Sequence, residues 1–213
     1  MCAEQRRRCL WIERLLLGTG IFCLLWWAVV ALQATRYQYE QRAALERMRA
    51  APAVVNASAA ITTGSLIGSL DIPRLRLSAM IAQGDDDATL KVAIGHLPET
   101  PLPWHEGNSV LAGHRDTFFR PLQHIRVGDQ LRLSTLHGDF RYEVRETMIV
   151  DPDDVWVLDP TDRPTLTLIT CYPFSYVGKA PRRFIVRAER TSTAQTREVP
   201  FEVMNTAPPA TTD

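Results

Sequence analysis

A cysteine in the second half of the chain is the clearest sign of covalent chemistry. Cys171 ends the apolar run TLTLITC, and the other cysteines all lie within the first 23 residues. A cysteine attacks carbonyl carbons as its thiolate, and cationic neighbours favour that charged form. An unpaired cysteine can instead form an intermolecular disulfide or pack as a small apolar side chain. The choice therefore depends on the residues that could assist Cys171.

Attack on a carbonyl also needs a group that transfers protons and a donor for the oxyanion. His114 follows a short buried strand, at whose mouth a side chain can face a cleft. Residue type alone leaves four other histidines as candidates: His96, His105, His124 and His137. Of these, His124 lies on a predicted short helix and His137 in a predicted hairpin turn.

Arg183 is the candidate oxyanion donor. It begins the strand RFIVRAE, twelve positions after Cys171. If the two strands are antiparallel neighbours, Cys171 and Arg183 lie side by side. Strand alternation sends the competing Arg182 to the opposite face. A guanidinium beside the thiol could stabilise a thiolate or donate to a carbonyl oxygen, although a surface arginine on an edge strand would show the same pattern.

Two further residues are candidates for supporting roles. Asp116 could orient the His114 imidazole or neutralise Arg115, but aspartate is also a common turn former. Thr170 directly precedes Cys171 and could bond to a substrate or simply fill the strand.

Residues 15–32 carry no charge over 18 positions, about the length of a helix that crosses a bilayer. We predict an uncleaved transmembrane anchor, because a surface helix would need a polar face. A cleaved signal peptide is the closer alternative, with only a poor cleavage site at 31–34. Arginines concentrate before this segment, which predicts a cytoplasmic N-terminus over 1–14 and an extracytoplasmic remainder.

This orientation leaves Cys171 alone in its compartment. Cys2 and Cys9 would be cytoplasmic and Cys23 would lie in the bilayer. Exported cysteines usually occur in disulfide pairs, so an unpaired one favours a reactive thiol.

The remaining pattern is mostly strand-like. We expect a juxtamembrane helix and flexible linker over 33–64, a folded domain over 65–190 and a loose tail over 191–213. Roughly eight short strands with few helices indicate a closed barrel or a sandwich. The stretch DDDATLKVAIGHLP predicts a short helix that is closed by Gly95 and Pro98.

Composition excludes some functions. The 24 basic and 24 acidic residues balance, which argues against a nucleic-acid partner. One cysteine and scattered histidines lack metal-ligand spacing, and we expect no cofactor. Calcium at GDDDA or DPDD is a weaker alternative, since such runs more often form turns or helix caps.

Several stretches in fixed order resemble the sortases, membrane-anchored cysteine transpeptidases of the bacterial surface. They run from about Gly68 to Glu189 and include LDIPRLRL, GHLPETPLPWHEGNSVLAGHRDTFFRPL and TLTLITCYPF followed by APRRFIVRA. HRDTFFRPL together with TCYPFSYVGKAPRRFIVRA is most similar to class D sortases.

The resemblance implies an eight-stranded β-barrel with short helices. It implies Cys171 as nucleophile, His114 as proton donor and Arg183 as the group that holds the substrate or its oxyanion. The implied reaction cleaves a Leu-Pro-x-Thr-Gly-like sorting signal through a thioacyl enzyme. An amine from a cell-wall peptide or a protein lysine then accepts the exported protein. From the residues alone, a hydrolase with the same thioester and a peptide-binding barrel without catalysis remain open.

Overall fold

The computed structural model describes the backbone of residues 2–50, 61–176 and 178–194, and the side chains of these residues from 11 to 191. The helices are α1 (Cys2–Ala50) and α2 (Asp87–Val92). The strands are β1 (Leu66–Ile72), β2 (Leu77–Gln83), β3 (Ile94–His96), β4 (Asn108–Ala112), β5 (Gln130–Thr135), β6 (Gly138–Val150), β7 (Thr165–Tyr172) and β8 (Arg182–Ala194). Short 3₁₀ helices cover Pro73–Leu75, Arg120–His124 and Val155–Leu158.

The strands close into a barrel in the order β1-β2-β3-β4-β7-β8-β6-β5. The pairs β2–β3 and β4–β7 are parallel, and the other neighbouring pairs are antiparallel. Within the described residues, each strand therefore has a hydrogen-bonded neighbour strand on both sides. The predicted eight-stranded barrel with short helices is confirmed.

Alternating apolar residues of the strands fill the barrel with one continuous core. Leu70, Leu111, Leu133, Leu168 and Val186 come from five different strands, and each is fully buried. Removing these side chains from water is the main force that holds the strands in place.

The predicted helix before Pro98 is shorter than expected, and part of it is a strand. α2 ends at Val92, and Asp86 caps its first turn by accepting from two backbone N–H groups. Residues 94–96 instead form β3, which pairs with β2 on one side and with β4 on the other. Extending the helix through Gly95 was wrong because these tertiary hydrogen bonds outweigh a weak local preference.

The second half of α1 packs against the barrel. The Gln38 side chain donates to Val92 O and accepts from Met80 N, both at 2.7 Å. Leu45, in the same half of α1, is buried. Two ion pairs, Arg42–Asp71 and Arg49–Asp139, continue the contact.

The first half of α1 contains a stretch long and apolar enough to cross a membrane, and none of it is buried. This property is compatible with the predicted anchor. The predicted linker falls partly on 51–60, outside the described residues. β8 continues to Ala194 by pairing with Asp139, beyond the predicted start of the tail at 191, and 195–213 lie outside the described residues.

Candidate active site

The parallel pairing of β4 with β7 places the segments that carry His114 and Cys171 at the same end of the barrel. Ala112 lies opposite Ile169 in the ladder. Past the end of β4, Gly113 N donates to Ile169 O at 3.1 Å. Because the carboxyl ends of parallel strands meet at one edge, the next residues of each strand emerge side by side.

The antiparallel pairing of β7 with β8 brings in the arginine. Cys171 and Arg183 are direct partners in this ladder. Residues directly opposite each other in such a ladder have Cβ atoms only about 5 Å apart. The pairing is the one expected if β7 and β8 are antiparallel neighbours.

Cys171 and Arg183 point to the outside of the barrel. Ile169 and Ile185, which share their face, pack in a small second cluster apart from the main core. The 3₁₀ helix at 155–158 contributes Val157 to this cluster. The outer face is therefore firmly supported next to the cysteine.

The side chains of His114, Cys171 and Arg183 line one groove with a volume of about 290 Å³. Cys171 is a free thiol and is partly exposed there. The residues that line the groove are His114, Arg115, Asp116, Cys171, Gly178, Lys179, Ala180 and Arg183. A thiol, an imidazole and a guanidinium around one groove are the groups that nucleophilic acyl transfer requires.

His96 is a structural residue of the barrel. It is 1% exposed, with Nδ1 2.9 Å from Gln83 Oε1 and Nε2 3.1 Å from Pro101 O. Burial lowers the pKa of His96 and favours the neutral ring. It does not line the groove that holds Cys171.

The other alternative histidines also lie away from that groove. His137 stacks on Trp104 with ring centroids 4.0 Å apart, and the pKa of His137 is lowered by burial and then by the charge of His105. His124 ends a 3₁₀ helix. All five histidines belong to the described part of the chain, and among them His114 alone lines the groove.

The remaining candidates are separated by geometry. Arg182 is exposed and lies opposite Tyr172, while the neighbouring Arg183 faces the groove. Asp116 lines the groove and is exposed, but within the described residues it makes no hydrogen bond to His114. Thr170 is outside the groove.

Thr170 has a different position from the one a substrate contact would need. Its side chain is 2% exposed, and its hydroxyl donates to Gly113 O at 2.7 Å. The bond ties β7, just before Cys171, to the chain just before His114. The position is that of a support for the site.

Sequence reasoning missed two cationic residues of the groove, Arg115 and Lys179. Lys179 is exposed at the rim. The Arg115 guanidinium donates to backbone carbonyls that lie 58 to 63 positions further along the chain. Backbone acceptors carry no residue-type signal, so only the fold reveals these contacts.

Comparisons with known proteins all match this chain to sortases. Residues 70–191, more than half of the chain, match the sortase domain family. Sortase D of Bacillus subtilis is 42% identical over 131 residues, which are 61% of this chain and 66% of that protein. Sortase A of Listeria monocytogenes is 30% identical over 122 residues, which are 55% of this chain and 54% of that protein.

A solved structure gives the same result. The structure of a sortase D5 transpeptidase from Clostridium perfringens superposes with a TM-score of 0.66 at 27% identity, covering 75% of this chain and 99% of that chain. The chain belongs to the sortase family. Its matches span about two thirds and about half of the length of the two relatives above.

Proposed function

We propose that the chain is a membrane-anchored cysteine transpeptidase. It cleaves a C-terminal sorting signal of the Leu-Pro-x-Thr-Gly kind and transfers the exported protein to an amine at the cell surface. The observation that carries this proposal is the groove shared by Cys171, His114 and Arg183. The identity of 42% with a sortase D supports the same reaction class.

In the first half of the reaction, Cys171 Sγ attacks the carbonyl carbon of the Thr–Gly bond as a thiolate. The carbonyl electron pair moves onto oxygen, where the Arg183 guanidinium stabilises the charge. His114, as imidazolium, gives its proton to the leaving glycine nitrogen as the C–N bond breaks. A thioester and a free amine result, and His114 is left neutral.

In the second half, an acceptor amine attacks the thioester carbon. Neutral His114 takes a proton from the attacking nitrogen, and the tetrahedral intermediate expels the thiolate of Cys171. The product is a new amide bond between the exported protein and a cell-wall peptide or a protein lysine. These steps require only side chains of this chain and no cofactor.

The anchor in this proposal is the apolar part of α1, residues 15–32. Its large side chains, such as Leu16 and Trp27, are exposed to the surroundings, as expected for a lipid-facing helix. The arginines before this segment favour a cytoplasmic N-terminus. An anchored enzyme meets membrane-bound substrates at a raised effective concentration.

The test uses the full chain in detergent micelles with internally quenched peptides that contain Leu-Pro-x-Thr-Gly, with x varied, and with triglycine as acceptor. We expect Cys171→Ala to reduce cleavage to background while the melting temperature stays within a few degrees of the parent value. Arg183→Ala should lower kcat by about 10²-fold or more, as loss of an oxyanion donor does. Arg182→Ala is the matched control and should keep its rate.

The product distinguishes this function from its alternatives. Mass spectrometry should find the acyl fragment joined to triglycine. If the fragment appears only as a free acid, the enzyme is a hydrolase. If no peptide is cleaved and the native thiol resists iodoacetamide near neutral pH, Cys171 is an inert residue of a binding barrel.

A further inference from the structure

We propose that Arg115 is a positioning residue that holds the β7–β8 loop, residues 173–176 and 178–181, as one wall of the groove. The inference rests on the proposed function for its meaning, because the wall would face the bound sorting peptide. Arg115 does not react with the substrate in this view. It acts by fixing the backbone that the peptide contacts.

The guanidinium of Arg115 binds three points of the loop. Nη1 donates to Pro173 O at 3.1 Å, and Nη2 donates to Tyr176 O at 2.7 Å and to Gly178 O at 2.9 Å. The guanidinium carbon also lies 5.9 Å from the centre of the Tyr176 ring. Planar guanidinium donors at fixed angles reach several acceptors at once, which a lysine ammonium on a flexible stem does less well.

The part of the loop that Arg115 holds has little other support. Phe174 packs against the barrel core and anchors the beginning of the loop. Beyond it, Tyr176 is 49% exposed. Within the described part of the chain, one further backbone hydrogen bond holds the loop, from Tyr176 N to Pro173 O at 3.3 Å.

This weakly supported part is also the part that lines the groove. Gly178, Lys179 and Ala180 line the groove together with His114. The loop joins the strand of Cys171 to the strand of Arg183. Because Arg115 follows His114 directly, one side chain ties the histidine-bearing segment to the wall.

Loss of these bonds should reduce the fraction of molecules in which the wall is formed. Apparent affinity falls in proportion to the binding-competent fraction, whereas saturating substrate restores that state. We therefore expect Arg115→Ala to raise KM by about tenfold and to change kcat by less than about threefold. A residue that takes part in the chemical step would lower kcat instead.

The experiment measures backbone amide hydrogen exchange and peptide cleavage on the full chain in detergent micelles. Arg115→Ala should accelerate amide exchange at residues 174–176 and 178–180 by about tenfold or more. The amides of β4 and β7 should stay protected. Arg115→Lys should be intermediate in both exchange and KM. Arg120→Ala is the control, because Arg120 is exposed, lies five residues further on and makes no side-chain hydrogen bond or ion pair within the described residues. It should match the parent chain.

Unchanged loop exchange in Arg115→Ala would overturn the proposal, and so would complete rescue by lysine. If Arg115→Ala loses protection throughout the barrel, the test uses Arg115→Lys instead. Loop exchange in Arg115→Lys that equals the parent value would then overturn the proposal. If the parent chain cleaves none of the Leu-Pro-x-Thr-Gly peptides, the proposed function fails. The exchange comparison still shows whether Arg115 holds the loop, so the two failures are distinguishable.

Discussion

Replacing Thr170 by valine removes one hydroxyl group from the support of the groove. The Thr170 hydroxyl donates to Gly113 O at 2.7 Å, in a side chain that is 2% exposed. Valine has nearly the same shape, so packing is preserved. The residues next to the two bonded groups are Cys171 and His114, so this bond links the segments that carry the two groups.

The variant should have two separate effects. A buried carbonyl that loses its donor costs about 1–3 kcal/mol, which lowers the melting temperature by roughly 3–10 °C for a domain of this size. A shift of the histidine-bearing segment also misaligns the reacting groups, and a displacement of about 1 Å can lower the rate by 10²-fold. We expect kcat to fall at least about tenfold.

Thr167→Val is the matched control for stability. Thr167 is fully buried on the same strand, and its hydroxyl donates to Asn108 Oδ1 at 2.7 Å. This bond joins β7 to the beginning of β4, away from the groove. The control should lose a similar amount of stability and keep its kcat.

Thermal unfolding and peptide cleavage on the full chain measure both effects. We expect parallel losses of melting temperature in the two variants and a loss of kcat in Thr170→Val alone. Equal kcat values for the parent and Thr170→Val would refute a positioning role for this bond. Equal loss of kcat in both variants would show that the rate follows global stability.

Three further predictions concern the docking of α1, the acid limit of stability and metal dependence. Gln38→Ala leaves Met80 N and Val92 O without their side-chain partner and should destabilise the docking of α1 by about 2 kcal/mol or more; unchanged proteolysis of the second half of α1 would contradict this. The hydrogen bond from Arg74 holds the pKa of Asp129 below its usual value. The ionised Asp129 therefore stabilises the folded state, fully at pH values above the unfolded pKa of about 3.9. This stabilisation is lost as pH falls through the lower folded pKa. Asp129→Asn should therefore flatten the acid limb of a plot of stability against pH, and a limb as steep as that of the parent chain would argue against it. EDTA should leave the cleavage rate unchanged, whereas a loss that calcium restores would revive the calcium alternative.

The barrel could be predicted because most of its strands have their own pattern. Strands such as β5 and β6 alternate around a hairpin, and this alternation survives in the sequence. β3 has only three residues, which is too short to show a period of two. The conformation of β3 is determined by its hydrogen bonds to β2 and β4. A pattern confined to residues 94–96 cannot reveal these bonds.

The candidate site divides in the same way. The pairing of Cys171 with Arg183 follows from alternation and from consecutive antiparallel strands. The position of His114 depends on the parallel pairing of β4 with β7, two strands separated by 52 residues of intervening chain. The residues alone therefore left other histidines open, and the resemblance to a family was needed to choose among them.

The docking of α1 on the barrel was the hardest feature to foresee. Composition predicted a flexible tether up to residue 64, but the partners of Gln38 are backbone groups that have no residue-type signal. Met80 N needs a partner because β2 pairs with β3 only from Ile81 onward. Arg49, near the end of α1, also bonds to Asp139 at 2.8 Å. Movement of the barrel relative to the second half of α1 therefore requires the loss of these docking contacts.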